Sequence, residues 1–292
     1  MSVPVTDSVT RFVFERAALR GAVVGLDAAY RDSIGHHPYP PRLARLLGET
    51  MGAMCLLANS LKFQGSLILQ LQGSGAVRLL VVDCDASLRL RAMAQWHGDI
   101  DDAASLVELA GDPRRSRMVL TLDPKDGGPL YQGIVALEGA SVASLFEHYL
   151  ATSEQIASRL WLEASAGRVR GLLLQRMPGA TDADAATWAR AVAAVDAAAE
   201  PFAACDAHSL LASLFRDDDV RAFRPRTPHA GCSCSRERVA GALKLLGSEE
   251  VESILVEQGA IGVDCEFCNR RYEFSAAEAR ALFAPRRAAA IH

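Results

Sequence analysis

The first 180 residues alternate short apolar runs with charged or glycine-containing breaks, and the period of each run predicts its element. SLILQLQ and VRLLVVD, separated by GSGA, read as a β-hairpin, and SLRLRAM, RMVLTL, YQGIVAL, RLWLEA and VRGLLLQ supply further strands. Residues 10–26, TRFVFERAALRGAVVGL, read as a strand and its continuation. Pro41 opens a segment in which Leu43, Leu46, Leu47, Met51, Met54, Leu57 and Leu61 fall at helical spacing, so this helix is expected to pack one face on a sheet. A second helix is predicted near residues 141–155. Many strands with inserted helices imply an α+β fold with a largely antiparallel sheet.

After MPG at 177–179 the texture changes. TDADAATWARAVAAVDAAAEPFAACDAHSLLASLF has Asp at helix starts and no strand-like run, which predicts helices. Residues 216–231, RDDDVRAFRPRTPHAG, are charged, carry two prolines and have little apolar surface to bury, and so read as a weakly structured linker. The expected organisation is an N-terminal sheet-and-helix core domain over 1–180, a helical region and metastable linker over 181–228, and a small zinc-binding domain over 229–292.

Composition narrows the function classes. The chain has 292 residues, 50% apolar and 23% charged, with a formal net charge of -4, which argues against a general attraction to nucleic acid or anionic membrane. The N-terminus lacks a basic region followed by a long apolar stretch, and no apolar run is long enough to cross a bilayer, so a cytoplasmic location is expected. In that reducing compartment the seven cysteines are expected to be thiols.

Four of those cysteines crowd the last fifth of the chain. Cys232-Ser233-Cys234 and Cys265-Glu266-Phe267-Cys268 are separated by 30 residues. Four thiolates suit the soft, tetrahedral preference of Zn²⁺, with each close pair supplying half the shell while the interval folds back between them. The interval is legible: Ser235 caps a helix with Val239, Ala242, Leu243 and Leu246 on one face. Gly247 stops it, and Ser248, Glu249 and Glu250 open a second helix that Gly259 ends. IGVD and RRYEF are strands, and Ser275 with Glu278 forms a capping box.

The other readings of these cysteines are four unrelated core thiols, a thioredoxin-like pair, and a catalytic zinc. The pair at 265 and 268 leads into a strand, where thioredoxin chemistry expects a helix, and four protein thiolates leave no open position for a substrate. CxC and CxxC can each close a disulfide once metal is gone, which suggests a site built to be lost. In so small a domain zinc supplies on the order of 10 to 16 kcal/mol of folding free energy, so oxidation of its ligands would eject it and melt the domain.

CSCSRER, LGSEEVESIL and CEFCNRRYEF together resemble the heat-shock protein 33 family, the 33 kDa chaperonins. HHPYPPRLARLLGE, LKFQGSLILQLQGSG, YQGIVALEG, YLATSEQ and LLLQRMPG extend the resemblance over nearly the whole chain. It implies an ATP-independent holdase, inactive while reduced with one zinc on Cys232, Cys234, Cys265 and Cys268. Oxidants such as hypochlorous acid or peroxide would activate it, together with unfolding, through disulfides Cys232–Cys234 and Cys265–Cys268. It further implies unfolded client proteins as partners, a homodimer in the oxidised state and no enzymatic activity.

Other features have plainer readings. Gly73-Ser74-Gly75 lacks the third glycine and following helix of a dinucleotide fingerprint and is a hairpin turn. His36 and His37 belong to a loop before the long helix. Cys84, between Asp83 and Asp85, is expected to be unreactive because like charges disfavour its thiolate. Cys55 is placed in the core, Cys205 is either buried or an oxidisable thiol, and Trp161 and Trp188 are packing residues. A nucleic-acid-binding zinc module would want a basic face, whereas residues 229–292 carry eight Lys or Arg against nine Asp or Glu. A thiol-disulfide oxidoreductase would reveal itself by turning over insulin disulfides.

Overall fold

Glu15 to Ala18 interrupt the apolar alternation of residues 8–26, and there the chain reverses: β1 (Ser8–Phe14) and β2 (Leu19–Leu26) pair antiparallel instead of forming one continued strand. The structure, a computed structural model, describes residues 7–124, 127–139, 141–165, 167–198, 202 and 206–283. A short helix, α1 (Ala28–Ile34), precedes the long α2 (Pro41–Ser60), which Pro41 opens at its first turn. The strands β3 (Gly65–Gln72), β4 (Val77–Asp85) and β5 (Arg89–Trp96) form a meander, followed by α3 (Leu106–Ala110), β6 (Arg117–Pro124) and β7 (Tyr131–Val135). Then come α4 (Val142–Thr152), β8 (Ser158–Ser165), β9 (Arg168–Arg176), α5 (Asp182–Asp196) and α6 (Ala207–Leu214).

Residues 216–231 are not weakly structured. They contribute β10 (Val220–Ala222), antiparallel to β1, and β11 (His229–Ala230), parallel to β5. Composition misleads here because main-chain hydrogen bonds, not apolar burial, hold the segment in register. Among the described residues one sheet therefore runs β10-β1-β2-β9-β8 and a second runs β11-β5-β4-β3-β6-β7.

The helix α2 packs against both sheets and is buried on nearly every side, so it is a core element and not the one-faced surface helix its spacing suggests. Close approach explains two of its glycines: a Cβ at Gly48 would stand 2.9 Å from Val169, and one at Gly52 3.0 Å from the same side chain. Cys55 and Cys84 lie in this core with no exposed surface. A second apolar cluster, built from Phe12, Phe14, Leu19, Val23, Leu172 and Leu174, joins the first sheet to α5 and α6, and Trp161 and Trp188 pack on it. The turn at Gly73-Ser74-Gly75 joins β3 to β4, where Ser74 and Gly75 donate to the Ala110 carbonyl at the end of α3. Cys205 lies outside the described residues.

The chain divides into two compact units between Gly231 and Cys232. The second contains α7 (Arg236–Leu246), α8 (Ser248–Gln258), the hairpin β12 (Ala260–Asp264) and β13 (Arg271–Ser275), and α9 (Ala276–Ala281). Ser235 caps α7, Gly259 closes α8 at a left-handed φ of 75°, and Ser275 and Glu278 form the capping box of α9. Of the face expected on α7 only Leu243 is buried and Val239 half-buried; Ala242 and Leu246 face solvent, because the helix packs chiefly against α8.

Candidate metal centre

Each cysteine pair is presented by a different kind of local structure. Cys232 and Cys234 occupy an extended stretch that ends at the N-terminus of α7. Ser235 accepts a hydrogen bond from the Arg238 amide, while the Arg238 guanidinium donates to Ser233 Oγ at 2.8 Å, so the residue between the two thiols is tied to the helix that follows them. The positive end of that helix favours negative charge on the adjacent sulfurs. Cys265 and Cys268 sit on the tight turn of the β12–β13 hairpin. The Cys265 amide donates to the Arg270 carbonyl and the Asn269 amide to the Cys265 carbonyl, with Asn269 at φ 53°, a conformation asparagine tolerates well.

These two turns converge. All four Sγ atoms lie within 4.8 Å of one another. Cys232 Sγ is 3.6 Å from Cys265 Sγ, and Cys234 Sγ is 3.4 Å from Cys268 Sγ. Four thiolates at about 2.3 Å from a central Zn²⁺ would stand roughly 3.8 Å apart, so the cluster has the size of a tetrahedral sulfur shell. The donor set is all sulfur and half-buried, which selects a soft ion over Mg²⁺ or Ca²⁺.

Burial and two neighbours, Tyr272 and Arg270, shape the charge of the centre. The Tyr272 hydroxyl donates to Cys234 Sγ at 3.1 Å, and this bond raises the phenol's own pKa because it favours the protonated, donating form. With no cation present, burial and the neighbouring thiols push Cys268 up to about 12, so an uncompensated thiolate is disfavoured there and a cation is what would offset it. Arg270 is held further in its charged form by Tyr272 and by Cys234 and Cys268. Tyr272 and Arg270 were not singled out from the sequence; the alternation of RRYEF placed Tyr272 on a strand, but which strand neighbour it meets is a tertiary fact.

The remaining candidates do not join this site. Cys84 is fully buried and its thiolate is disfavoured, but the main cause differs from the one expected: its thiol is raised first by the Cys55 thiol beside it and by burial, with Asp85 and Asp83 adding less. His36 and His37 lie in the turn between α1 and α2.

Fold and site together define an α+β protein whose second, minor unit is gathered around a four-thiol centre fit for a soft metal ion. A family model described as "Hsp33 protein" matches residues 7–275. A 33 kDa chaperonin of Methylobacillus flagellatus is 42% identical over 282 residues, 96% of this chain and 95% of that protein. One of Chromobacterium violaceum is 41% identical over 279 residues, 95% and 94% of the two chains. The crystal structure of a 33 kDa chaperonin from Thermotoga maritima superposes with a TM-score of 0.78 at 19% identity, covering 94% of this chain and 97% of the other, which supports the fold. The chain belongs to the Hsp33 family, the redox-regulated chaperones.

Proposed function

We propose that Cys232, Cys234, Cys265 and Cys268 hold one zinc ion in the reduced protein, and that their oxidation converts a resting chaperone into an ATP-independent holdase for unfolding proteins. The observation that carries this reading is the convergence of four sulfurs, from two motifs 30 residues apart, within 4.8 Å. Bound there, zinc would supply the cross-link that so small a unit needs, on the order of 10 to 16 kcal/mol. Among the described residues only Leu243, Val251, Leu255, Ile261, Tyr272, Phe274 and Ala279 are buried in the apolar core of that unit. That unit's own apolar core is too small to hold it folded unaided.

Oxidation takes the ligands away in pairs. Cys232 with Cys234, and Cys265 with Cys268, each form one S–S bond; per bond one peroxide accepts two electrons and two protons and leaves as two waters. The second unit then loses its cross-link and unfolds. Gly231, whose amide donates to Leu90 at 2.9 Å, is joined directly to Cys232, so unfolding reaches the segment 216–231 through the chain itself. Clients are held on the apolar surface this uncovers, in the cytoplasm, by a protein that dimerises when oxidised. No catalytic residue is required.

Peptide mapping after peroxide treatment tests the chemistry. The expected products are two short-range disulfides within the motifs, with zinc released in step. Dominant Cys232–Cys265 or Cys234–Cys268 bridges, or zinc retained after full thiol loss, would contradict it.

A further inference from the structure

Both sheets of the first unit end in a strand borrowed from the segment just before Cys232. The outermost strand of one sheet is β10 and of the other β11; without them the edges would be β1 and β5. The pairing to β1 is largely main-chain. Phe223 N donates to Arg11 O at 2.8 Å and Glu15 N to Asp219 O at 2.8 Å. Val9 and Arg226 exchange both bonds, at 2.9 and 3.0 Å. On one face Val220 and Ala222 are only half-buried over the Phe12, Phe14 and Phe215 cluster. On the other, Phe223 lies between the guanidinium groups of Arg11 and Arg221, 5.7 and 5.2 Å from its ring centre.

We propose that β1 is a latent strand acceptor: once residues 216–231 are released, as the redox reading above requires, an extended segment of an unfolded client adds antiparallel to β1 where β10 had been. An uncovered edge presents a row of unpaired amides and carbonyls, the usual template for strand addition. The groups freed at Val9, Arg11 and Glu15 are the ones β10 and its flanks now satisfy. Main-chain pairing carries no side-chain information, which suits a chaperone that must accept many sequences. Side chains set a bias nonetheless. Alternate residues of the incoming strand would rest on Phe12 and Phe14, and the others would face Arg11 and Arg20, which with Met177 line a cavity whose remaining wall, Phe223, leaves with the released segment. Neither arginine has a carboxylate within ion-pair distance among the described residues. The favoured segment therefore alternates apolar residues with acidic or aromatic ones.

Residue-resolved hydrogen exchange on the full-length protein tests this, with permanently unfolded, carboxymethylated α-lactalbumin as the client. Exchange at Val9 and Glu15 is expected to accelerate at least about tenfold on oxidation and to slow at least about tenfold again when the client binds. Thr10 and Phe12, whose amides alternate to the β2 side, stay protected throughout. Val9 and Glu15 remaining fast in a client complex would overturn strand addition and leave the redox switch standing. No acceleration on oxidation would overturn the release of the segment and strand addition with it. A synthetic peptide of residues 217–227 is expected to compete with the client, and N-methylation at its Phe223 to weaken it at least about tenfold; equal potency of the two peptides would overturn the main-chain mode.

Discussion

Tyr272 shows how one hydroxyl bears on the metal centre. Its ring belongs to the core of the second unit while its O–H reaches Cys234 Sγ at 3.1 Å, so Tyr272→Phe removes the bond and keeps the packing. Ligand partners of this kind are worth about 10- to 100-fold in metal affinity, and a loss of roughly tenfold is expected in a chelator competition. Unchanged affinity would remove Tyr272 from the site. Cys232→Ser is expected to weaken zinc binding and raise holdase activity in the reduced state; normal zinc content with a silent holdase would count against the switch. Protonation works in the same direction as ligand loss. In the metal-free site burial pushes Cys268 up to about 12, so it holds its proton at neutral pH and must give it up to bind metal. Metal uptake therefore releases protons and weakens as pH falls, a dependence that calorimetry in buffers of different ionisation enthalpy reads directly.

At the scale of elements, Asp184 ties α5 to the strands. Its carboxylate accepts from the amides of Ala18 and Thr181, at 2.8 and 2.7 Å, and these bonds lower its pKa. A carboxyl whose folded pKa is depressed stabilises the fold above its unfolded value near about 4 and loses that contribution as pH falls through the folded value. Asp184→Ala is expected to lower the melting temperature of the first unit at pH 7, with the difference from the parent shrinking below about pH 4. A difference independent of pH would show that the charge is not what matters. The linker strand admits a sharper test: Phe223→Ala removes the ring that Arg11 and Arg221 flank, and is expected to raise holdase activity in the reduced protein without loss of zinc.

Elements were legible where period and caps agreed. The Ser235 cap, Gly259 stop and Ser275–Glu278 box of the second unit all stand where the sequence puts them, since each is a local hydrogen bond. The reversal at 15–18 was not, because ERAA carries no turn residue of the glycine or proline kind. α3 was missed at five residues, although Ser105 and Glu108 form a capping box that marks it. β10 and β11 were missed because their support lies more than 100 residues away in β1 and β5, beyond any local pattern. The gathering of the four thiols, by contrast, was legible: ligand type and spacing predict a cluster of the kind that could hold a metal before the fold is known.

For the molecule as a whole, the two units differ in what holds them. The first is built around α2, buried between two sheets, and needs no ligand to account for its stability. In the proposed reading the second depends on the metal held by its four thiols. A strong chelator with the thiols kept reduced is expected to melt the second unit alone, seen as lost protection of α7 to α9 while β2, β3 and β9 stay protected. Cooperative loss of both would contradict this division of stability.

The most direct test is light scattering of a heat-unfolding client enzyme with the protein reduced and zinc-loaded in one cuvette and peroxide-treated at elevated temperature in another, with released zinc followed by a chromogenic chelator. The expected result is suppression of aggregation only after oxidation, rising in step with about one zinc released per chain, as four ligands require. Full suppression by the reduced, zinc-loaded protein, or zinc loss with no suppression in either state, would contradict the switch.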